Sequence, residues 1–260
     1  MQSRHDWRSD QPLKQDVFGR VDRIVYDAEL VVSRRATGSR IPGSRMLARH
    51  LLRREKRALQ RLELLPGVPH LRAQLPASDH ALLRSWIPGT TLSCATAIPV
   101  DFFDHLDTLV AAVHALGICH NDLHKEQNIL LGEDGYPYLL DFQLSSVHRR
   151  DSRMFRARRR EDLRHVQKHR LRYVRHMPTH AKGPAEAGVG VGIKKGWPAR
   201  LWMRFVKPIY NVLLRRSMRW SENEKRRPRT GSWPVWLPPS GPREAVPATP
   251  SAVTPSAVTP

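Results

Sequence analysis

The residues best suited to chemistry lie in two neighbouring segments. The segment HNDLHKEQNIL carries Asp122, Lys125 and Asn128, and the following segment LLDFQ carries Asp141. Phosphoryl transfer needs such a set: one carboxylate orients an attacking hydroxyl, while an amide oxygen and a second carboxylate hold Mg²⁺. Hard oxygen ligands suit Mg²⁺, and the two cysteines of the chain do not form the CxxC pair that would favour a zinc site.

Two predicted elements would bring these groups together. Residues 101–117 have the apolar spacing of a helix that ends at Gly117, just before the first segment. The apolar runs 129–131 and 138–140 flank the turn sequence GEDG, which predicts a β-hairpin. Because Asp141 leaves the second strand of this hairpin, its loop and the loop of the first segment could meet around one point.

A glutamate lies on the apolar face of a predicted helix further upstream. Residues 43–65 place apolar residues three and four positions apart, and Glu55 follows Leu51 by four and precedes Ala58 by three. An ionised carboxylate that faces a core is costly unless it is paired. The pattern therefore predicts a charged partner for Glu55, or else an edge position from which it reaches solvent.

These motifs together resemble the catalytic loop and the metal-binding DFG element of the protein-kinase-like superfamily. HNDLHKEQNIL with DFQ is most similar to small bacterial RIO-type or lipopolysaccharide-kinase-like serine/threonine kinases. LLRREKRAL resembles the N-lobe helix that carries a glutamate, here Glu55, and LLRSWIPGTTL resembles the last N-lobe strand and the hinge. The resemblance covers roughly residues 16–147, and more loosely the chain to about residue 220.

The resemblance implies an α+β, two-lobed protein-kinase-like fold. Its N-lobe, a sheet with one helix, would span residues 15–86. A hinge and a minimal C-lobe with a basic helical extension would span 87–220, and a disordered tail would span 221–260. The proline-rich composition and the terminal repeat TPSAVTPSAVTP favour that last assignment.

The resemblance also implies ATP and Mg²⁺ as cofactors and a hydroxyl as phosphate acceptor, on a protein Ser/Thr or on a lipopolysaccharide sugar. Asp122 would be the catalytic base, and Lys125 could approach the γ-phosphate. Asn128 and Asp141 would hold the metal, and Glu55 would help to bind the nucleotide through a cationic partner. The alternative is a pseudokinase scaffold, which would bind a partner without turnover.

The sequence departs from the family pattern at the N-lobe lysine. No lysine lies between Lys14 and the helix that carries Glu55, and Ser33 is the nearest match to the expected position. We therefore expect Arg34 or Arg35, which follow the strand pattern LVVS, to pair with Glu55 and to bind the nucleotide in its place. An arginine fork is not equivalent to the point charge of a lysine.

A second departure concerns spacing in the catalytic loop. Asp122 and Asn128 are six positions apart, whereas the family has five. Either one residue bulges out of the loop, or Asn128 is displaced from the metal.

The charge of the chain is unevenly distributed. Up to Val147 there are 18 Lys+Arg and 17 Asp+Glu, and from His148 onward 26 and 7, so the net charge rises from +1 to +19. The basic 148–229 region predicts an anionic membrane surface or a nucleic acid as partner, or else a solvated basic surface. Its residues 198–220 mix aromatic and basic residues, which fits a membrane-surface helix or a helix docked on the C-lobe.

No apolar run reaches the about 20 residues of a membrane span, and the polar N-terminus does not resemble a signal peptide. We therefore expect a cytoplasmic protein that could associate peripherally with the inner membrane face. A basic membrane- or nucleic-acid-associated adaptor is a further alternative.

Overall fold

The computed structural model describes residues 8–16, 19–26, 28–38, 42–72, 80–149, 151–177 and 233–241. Over these ranges the chain is a mixed α+β structure with three helices and mainly antiparallel strand pairs. The segment at 198–220 and most of the predicted tail lie outside the described residues. Within the described ranges, no helix combines the length and apolar character needed to cross a bilayer.

The first part of the chain forms a four-stranded antiparallel sheet in the order β1-β2-β3-β4. Its elements are β1 (Arg8–Asp16), β2 (Gly19–Tyr26), β3 (Glu29–Arg35), helix α1 (Ser44–Arg61) and β4 (Ala81–Ser85). On one face of the sheet, Ile24, Val31 and Leu83 pack into a small buried cluster. Strand β1 begins before residue 15, the predicted start of the N-lobe. That boundary was placed too late because the sequence RSDQPLKQD lacks an apolar alternation.

Helix α1 confirms the helix predicted from apolar spacing over residues 43–65. Its buried positions recur three and four residues apart and include Ala48, Leu52, Glu55 and Leu59. The chain turns after the helix at Gly67, whose φ of 88° lies in the left-handed region that glycine adopts at little cost. Glu55 is fully buried, so the solvent-reaching alternative for this residue was wrong.

The second part of the chain is built on two helices and several short strands. Its elements are β5 (Gly89–Thr91), β6 (Ala97–Pro99), α2 (Phe102–Ala115), β7 (Ile118–Cys119), β8 (Ile129–Gly132), β9 (Pro137–Leu139), β10 (Ser146–Val147) and α3 (Arg153–Val174). The predicted hairpin is confirmed as β8 and β9, and β5 joins it as a third strand. Helix α3 is capped by Ser152, whose hydroxyl accepts a hydrogen bond from the Phe155 amide at 3.1 Å.

Residues 233–241 correct the prediction of a tail disordered throughout residues 221–260. Strand β11 (Val235–Leu237) pairs in parallel with β6. Trp233 and Trp236 pack against the main core, and the Ser240 amide donates to Asp101 Oδ1 at 3.0 Å. The prediction was wrong here because a proline-rich sequence shows no apolar spacing typical of a helix or strand. Its two tryptophans can nevertheless bury their side chains against the surface of the folded core.

Candidate functional site

Two loops that follow β7 and β9 lie against each other. Strand β7 precedes the first loop and strand β10 follows the second, and the two strands pair through Cys119 and Ser146. This pairing holds the two loops side by side. His120 Nε2 lies 2.8 Å from the Leu140 carbonyl, and the Asp122 amide donates to His120 Nδ1 at 3.3 Å. These bonds require a His120 that is protonated on Nε2 and accepts on Nδ1, so this histidine fixes the loops and is not placed to react.

Asp122 lies at the centre of the first loop and is 1% exposed. Its Oδ1 is 3.1 Å from His124 Nδ1, and its Oδ2 is 3.1 Å from Lys125 Nζ. Burial alone would raise the pKa of Asp122, but the hydrogen bond from His124 and the charge of Lys125 outweigh it and lower the pKa. Asp122 is therefore an ionised acceptor that can receive a hydrogen bond from a hydroxyl.

Asn128 stays beside Asp122 despite the extra residue in the loop. A single 3₁₀ turn over Glu126–Asn128 takes up the additional length. The Asn128 Nδ2 group donates to the Asp122 carbonyl at 3.0 Å and to Asp122 Oδ2 at 2.9 Å. Asn128 thus keeps its contact with Asp122, and its Oδ1 oxygen is the atom that could meet a cation; its place relative to a metal stays a prediction.

Asp141 begins the second loop in an unusual backbone conformation. Its φ of 63° and ψ of 67° lie in the left-handed region, which a residue other than glycine occupies only at a cost. Its Oδ1 accepts from Arg34 at 2.9 Å and its Oδ2 from Gln143 at 3.3 Å. Burial alone would raise the pKa of Asp141, but the charges of Arg34 and further cations lower it.

Arg34 connects the sheet, helix α1 and the second loop. Its Nη1 donates to Glu55 Oε2 at 2.8 Å as well as to Asp141, and its Nη2 donates to Gln143. Of the two predicted partners for Glu55, Arg34 is therefore the one that contacts it. Arg35 instead lies 3.3 Å from Asp22.

Ser33, the predicted match to the N-lobe lysine, is not on the face of the sheet that contacts Glu55. It pairs with Asp22 on β2 and with Leu83 on β4, on the face opposite to Arg34. Successive side chains of a strand point to opposite faces, so a match displaced by one residue reverses the direction of the side chain.

Arg84 is a member of the site that sequence reasoning missed. It is 8% exposed, and its Nη1 lies 3.1 Å from Glu55 Oε1. Arg34 and Arg84 thus bring two positive charges to Glu55 and Asp141, which bring two negative charges. The available signal was an arginine directly after the apolar run ALL of this strand, because a buried charge needs a partner.

Helix α3 packs against the first loop and bonds to its backbone, which the sequence analysis did not predict. Asp162 is 1% exposed and accepts from the amides of His120 at 2.8 Å and Asn121 at 2.9 Å. His169 Nε2 lies 2.8 Å from the Leu123 carbonyl. The signal for Asp162 was obscured, because the pair Glu161-Asp162 follows a run of arginines and has the composition of a solvated face.

A second buried carboxylate ties the same loop to α3. Glu126 accepts from Arg172 and from the Tyr173 hydroxyl, the latter at 3.0 Å. Burial alone would raise the pKa of Glu126, but His169, Arg172 and Tyr173 lower it to about 2. The loop that carries Asp122 is therefore held at both ends by charged groups of α3.

One buried trio has the composition of a metal site. Ligand atoms of His114, Cys119 and Asp162 lie within 4.8 Å of one another. Both Asp162 oxygens already accept backbone hydrogen bonds, and burial, with the Asp162 charge, raises the pKa of the Cys119 thiol to about 12. Through the hydrogen bonds of Asp162 to the first loop, the trio contributes to the support of that loop.

The site as a whole presents an ionised Asp122, an amide oxygen on Asn128, a second carboxylate on Asp141 and a cation between sheet and helix. Such a set can orient a hydroxyl and hold a hard divalent cation. Comparison with known proteins finds no matching family model and no similar curated protein.

Proposed function

We propose that this chain has a two-lobed protein-kinase-like fold and is an ATP- and Mg²⁺-dependent phosphotransferase. The observation that carries the proposal is the double contact of Arg34, which joins Glu55 of α1 to Asp141 of the second loop. Phosphate-binding sites of this class need a strand cation paired with a helix glutamate, next to a carboxylate such as Asp141 that would hold the metal. Sheet β1–β4 with α1 would be the N-lobe, and the part from β5 to α3 the C-lobe.

The side chains of the first loop would act on the acceptor. Asp122 would receive the hydrogen bond of the attacking hydroxyl and hold it in line, and its low pKa makes orientation its main task rather than strong basicity. Lys125, 3.1 Å from Asp122, would place a positive charge beside the transferring phosphoryl group.

The oxygens available for Mg²⁺ fit that ion. Asp141 is ionised and 17% exposed at its side chain, and the Asn128 amide nitrogen is already used by Asp122, which directs its oxygen to another ligand. Carboxylate and amide oxygens are hard ligands of the kind that Mg²⁺ takes. The bound ion would offset the negative charge of the phosphates.

The acceptor would be a protein Ser/Thr hydroxyl or a lipopolysaccharide sugar. The protein would act in the cytoplasm, with the inner membrane face as a peripheral location. The described part of the basic 148–229 region includes α3, whose exposed arginines 153, 156, 159 and 160 would contribute to an anionic partner surface.

Turnover can be tested without a known acceptor. Release of γ-phosphate from Mg²⁺–ATP, to water or to the protein itself, is measured for the wild type and for Asp122→Ala. We expect turnover to fall by about 10²- to 10⁴-fold while ATP affinity is retained, because orientation of the nucleophile acts in the transition state. Glu133→Ala, an exposed change in the hairpin turn, is the control.

The second candidate function is a pseudokinase scaffold. It is favoured by one observation: Arg34 and Gln143 already donate to both carboxylate oxygens of Asp141. If those bonds persist with nucleotide present, Asp141 holds the metal weakly. Wild-type protein that binds Mg²⁺–ATP but shows no γ-phosphate release above that of Asp122→Ala would favour the scaffold.

A further inference from the structure

The C-terminal segment 233–241 places a tryptophan against the end of helix α3. The Trp233 ring stacks on the ring of His176 at a centroid distance of 3.7 Å, and it meets the ring of Tyr173 edge-on at 5.5 Å. The guanidinium of Arg172 lies 5.6 Å from the centroid of the Trp233 ring, within the range of a cation–π contact. One side chain of the segment therefore contacts three side chains at and just after the end of α3.

Two of these three side chains hold the first loop. The Tyr173 hydroxyl donates to Glu126 Oε2 at 3.0 Å, and Arg172 donates to the other oxygen of the same carboxylate. Glu126 is 1% exposed and begins the 3₁₀ turn that ends at Asn128. A continuous series of contacts thus leads from the Trp233 ring to the end of the first loop.

The other end of the first loop is held at a different place on α3. The amides of His120 and Asn121 donate to Asp162 at 2.8 and 2.9 Å. Asp162 lies ten residues before Arg172, which is about 15 Å along the helix axis. Loss of the Trp233 contacts should therefore loosen one end of the loop and leave the other in place.

The docked segment buries only part of its apolar surface. Val235 and Leu237 of β11 remain 66% and 42% exposed. Among the described residues, no acceptor forms a hydrogen bond with the buried Nε1 group of Trp236, and an unpaired buried donor weakens the docked state. The segment can therefore leave the core at a smaller cost than the helices that it covers.

We propose that Trp233 is a positioning residue of the first loop, and that docking and release of segment 233–241 regulate the proposed site. With the segment docked, Trp233 keeps Arg172 and Tyr173 on Glu126. With the segment released, these two side chains lose their aromatic cover, and the first loop loosens at this end. The regulation rests on the proposed function, whereas the link between Trp233 and the loop does not.

Hydrogen exchange resolved to single amides tests this link in the full-length protein. The amide of Asn128 donates to the Lys125 carbonyl at 3.2 Å, within the end of the loop that Glu126 holds. In Trp233→Ala we expect this amide to exchange about 5- to 100-fold faster, the range of a lost aromatic pair and a lost cation–π contact. The amide of His120, which Asp162 holds, should keep its rate within about twofold.

Matched variants separate this contact from a general loss of stability. Trp233→Phe retains an aromatic face and should recover part of the protection at Asn128, whereas Trp233→Leu retains only apolar bulk and should behave like Trp233→Ala. Val235→Ala changes an exposed side chain of the same segment and should leave all rates unchanged. Unchanged exchange at Asn128 in Trp233→Ala and Trp233→Leu, or an equal acceleration at Asn128 and His120, would overturn the positioning role.

Release of γ-phosphate separates this inference from the proposed function. In Trp233→Ala we expect turnover to fall by at least about tenfold, because a displaced loop no longer orients the acceptor. If exchange at Asn128 accelerates while turnover stays at the wild-type rate, the regulation is wrong and the proposed function stands. If the wild type releases no γ-phosphate while exchange at Asn128 responds to Trp233→Ala, the positioning role stands and the proposed function fails.

Discussion

Replacing Glu55 should destabilise the protein strongly. Glu55 is fully buried and lies between Arg34 and Arg84, each 8% exposed. Glu55→Ala leaves Arg84 buried without this partner and removes one of the two carboxylates that Arg34 contacts. Removing one member of a buried ion pair costs about 3–5 kcal/mol, because the other charge stays desolvated.

The assay is urea denaturation followed by circular dichroism, with thermal unfolding alongside. The expected cost corresponds to a fall in Tm of roughly 6–20 °C for a protein of this size. Glu63→Ala, an exposed glutamate just after α1, should leave the urea midpoint unchanged. This control separates loss of the buried pair from a general effect of removing a carboxylate.

A double-mutant cycle with Arg84→Ala tests the cause. If the cost comes from the unpaired arginine, the double variant should be more stable than the sum of the single losses predicts, by about 0.5–3 kcal/mol. A loss below about 1 kcal/mol for Glu55→Ala, or strictly additive losses, would refute the reasoning that the buried charges depend on each other.

The remaining predictions concern the support of the first loop and the C-terminal strand. Asp162→Asn should cost about 1–3 kcal/mol, because a neutral amide replaces the charged acceptor of two buried backbone amides; urea denaturation measures this, and an unchanged midpoint would contradict the role. Glu126 has a folded pKa of about 2 against an ordinary 4.5, so its stabilisation is complete above about pH 4.5 and is lost as pH falls toward 2. Over that pH window the free energy of unfolding of the wild type should therefore fall by about 3 kcal/mol more than that of Glu126→Gln. Parallel pH profiles of the two proteins would exclude this contribution of Glu126. Trp236→Ala should lower the urea midpoint, because Trp236 packs on the main core; equal midpoints would show that β11 adds no stability.

Local sequence patterns predicted those elements whose apolar residues repeat at the spacing of a helix or a strand. Helices α1 and α2 and the β8–β9 hairpin follow the predicted ranges within a few residues, since apolar spacing and turn residues determine them. Glu55 on an apolar stripe predicted a charged partner, and Arg34 is one of the two arginines expected to supply it. The nucleotide and metal roles of these residues stay predictions.

The remaining features depend on tertiary contacts that a single sequence does not show. Ser33 and Arg34 differ by one position, and only the register of β3 against β2 decides which of them faces the site. Asp162 lies among arginines, and its burial follows from two loop amides that no local pattern reveals. Strand β11 depends on pairing with β6, more than 130 residues away in sequence.

The most direct test of the central claim is a titration of the wild type and of Asp141→Asn with ATP, with Mg²⁺ present and with the metal chelated. The account predicts that the wild type binds ATP in a Mg²⁺-dependent manner. It also predicts that Asp141→Asn, still folded by circular dichroism, loses at least about tenfold of the Mg²⁺-dependent affinity. A wild type that binds no ATP, or a folded Asp141→Asn with undiminished Mg²⁺-dependent affinity, would contradict the claim that this site holds a metal–nucleotide complex.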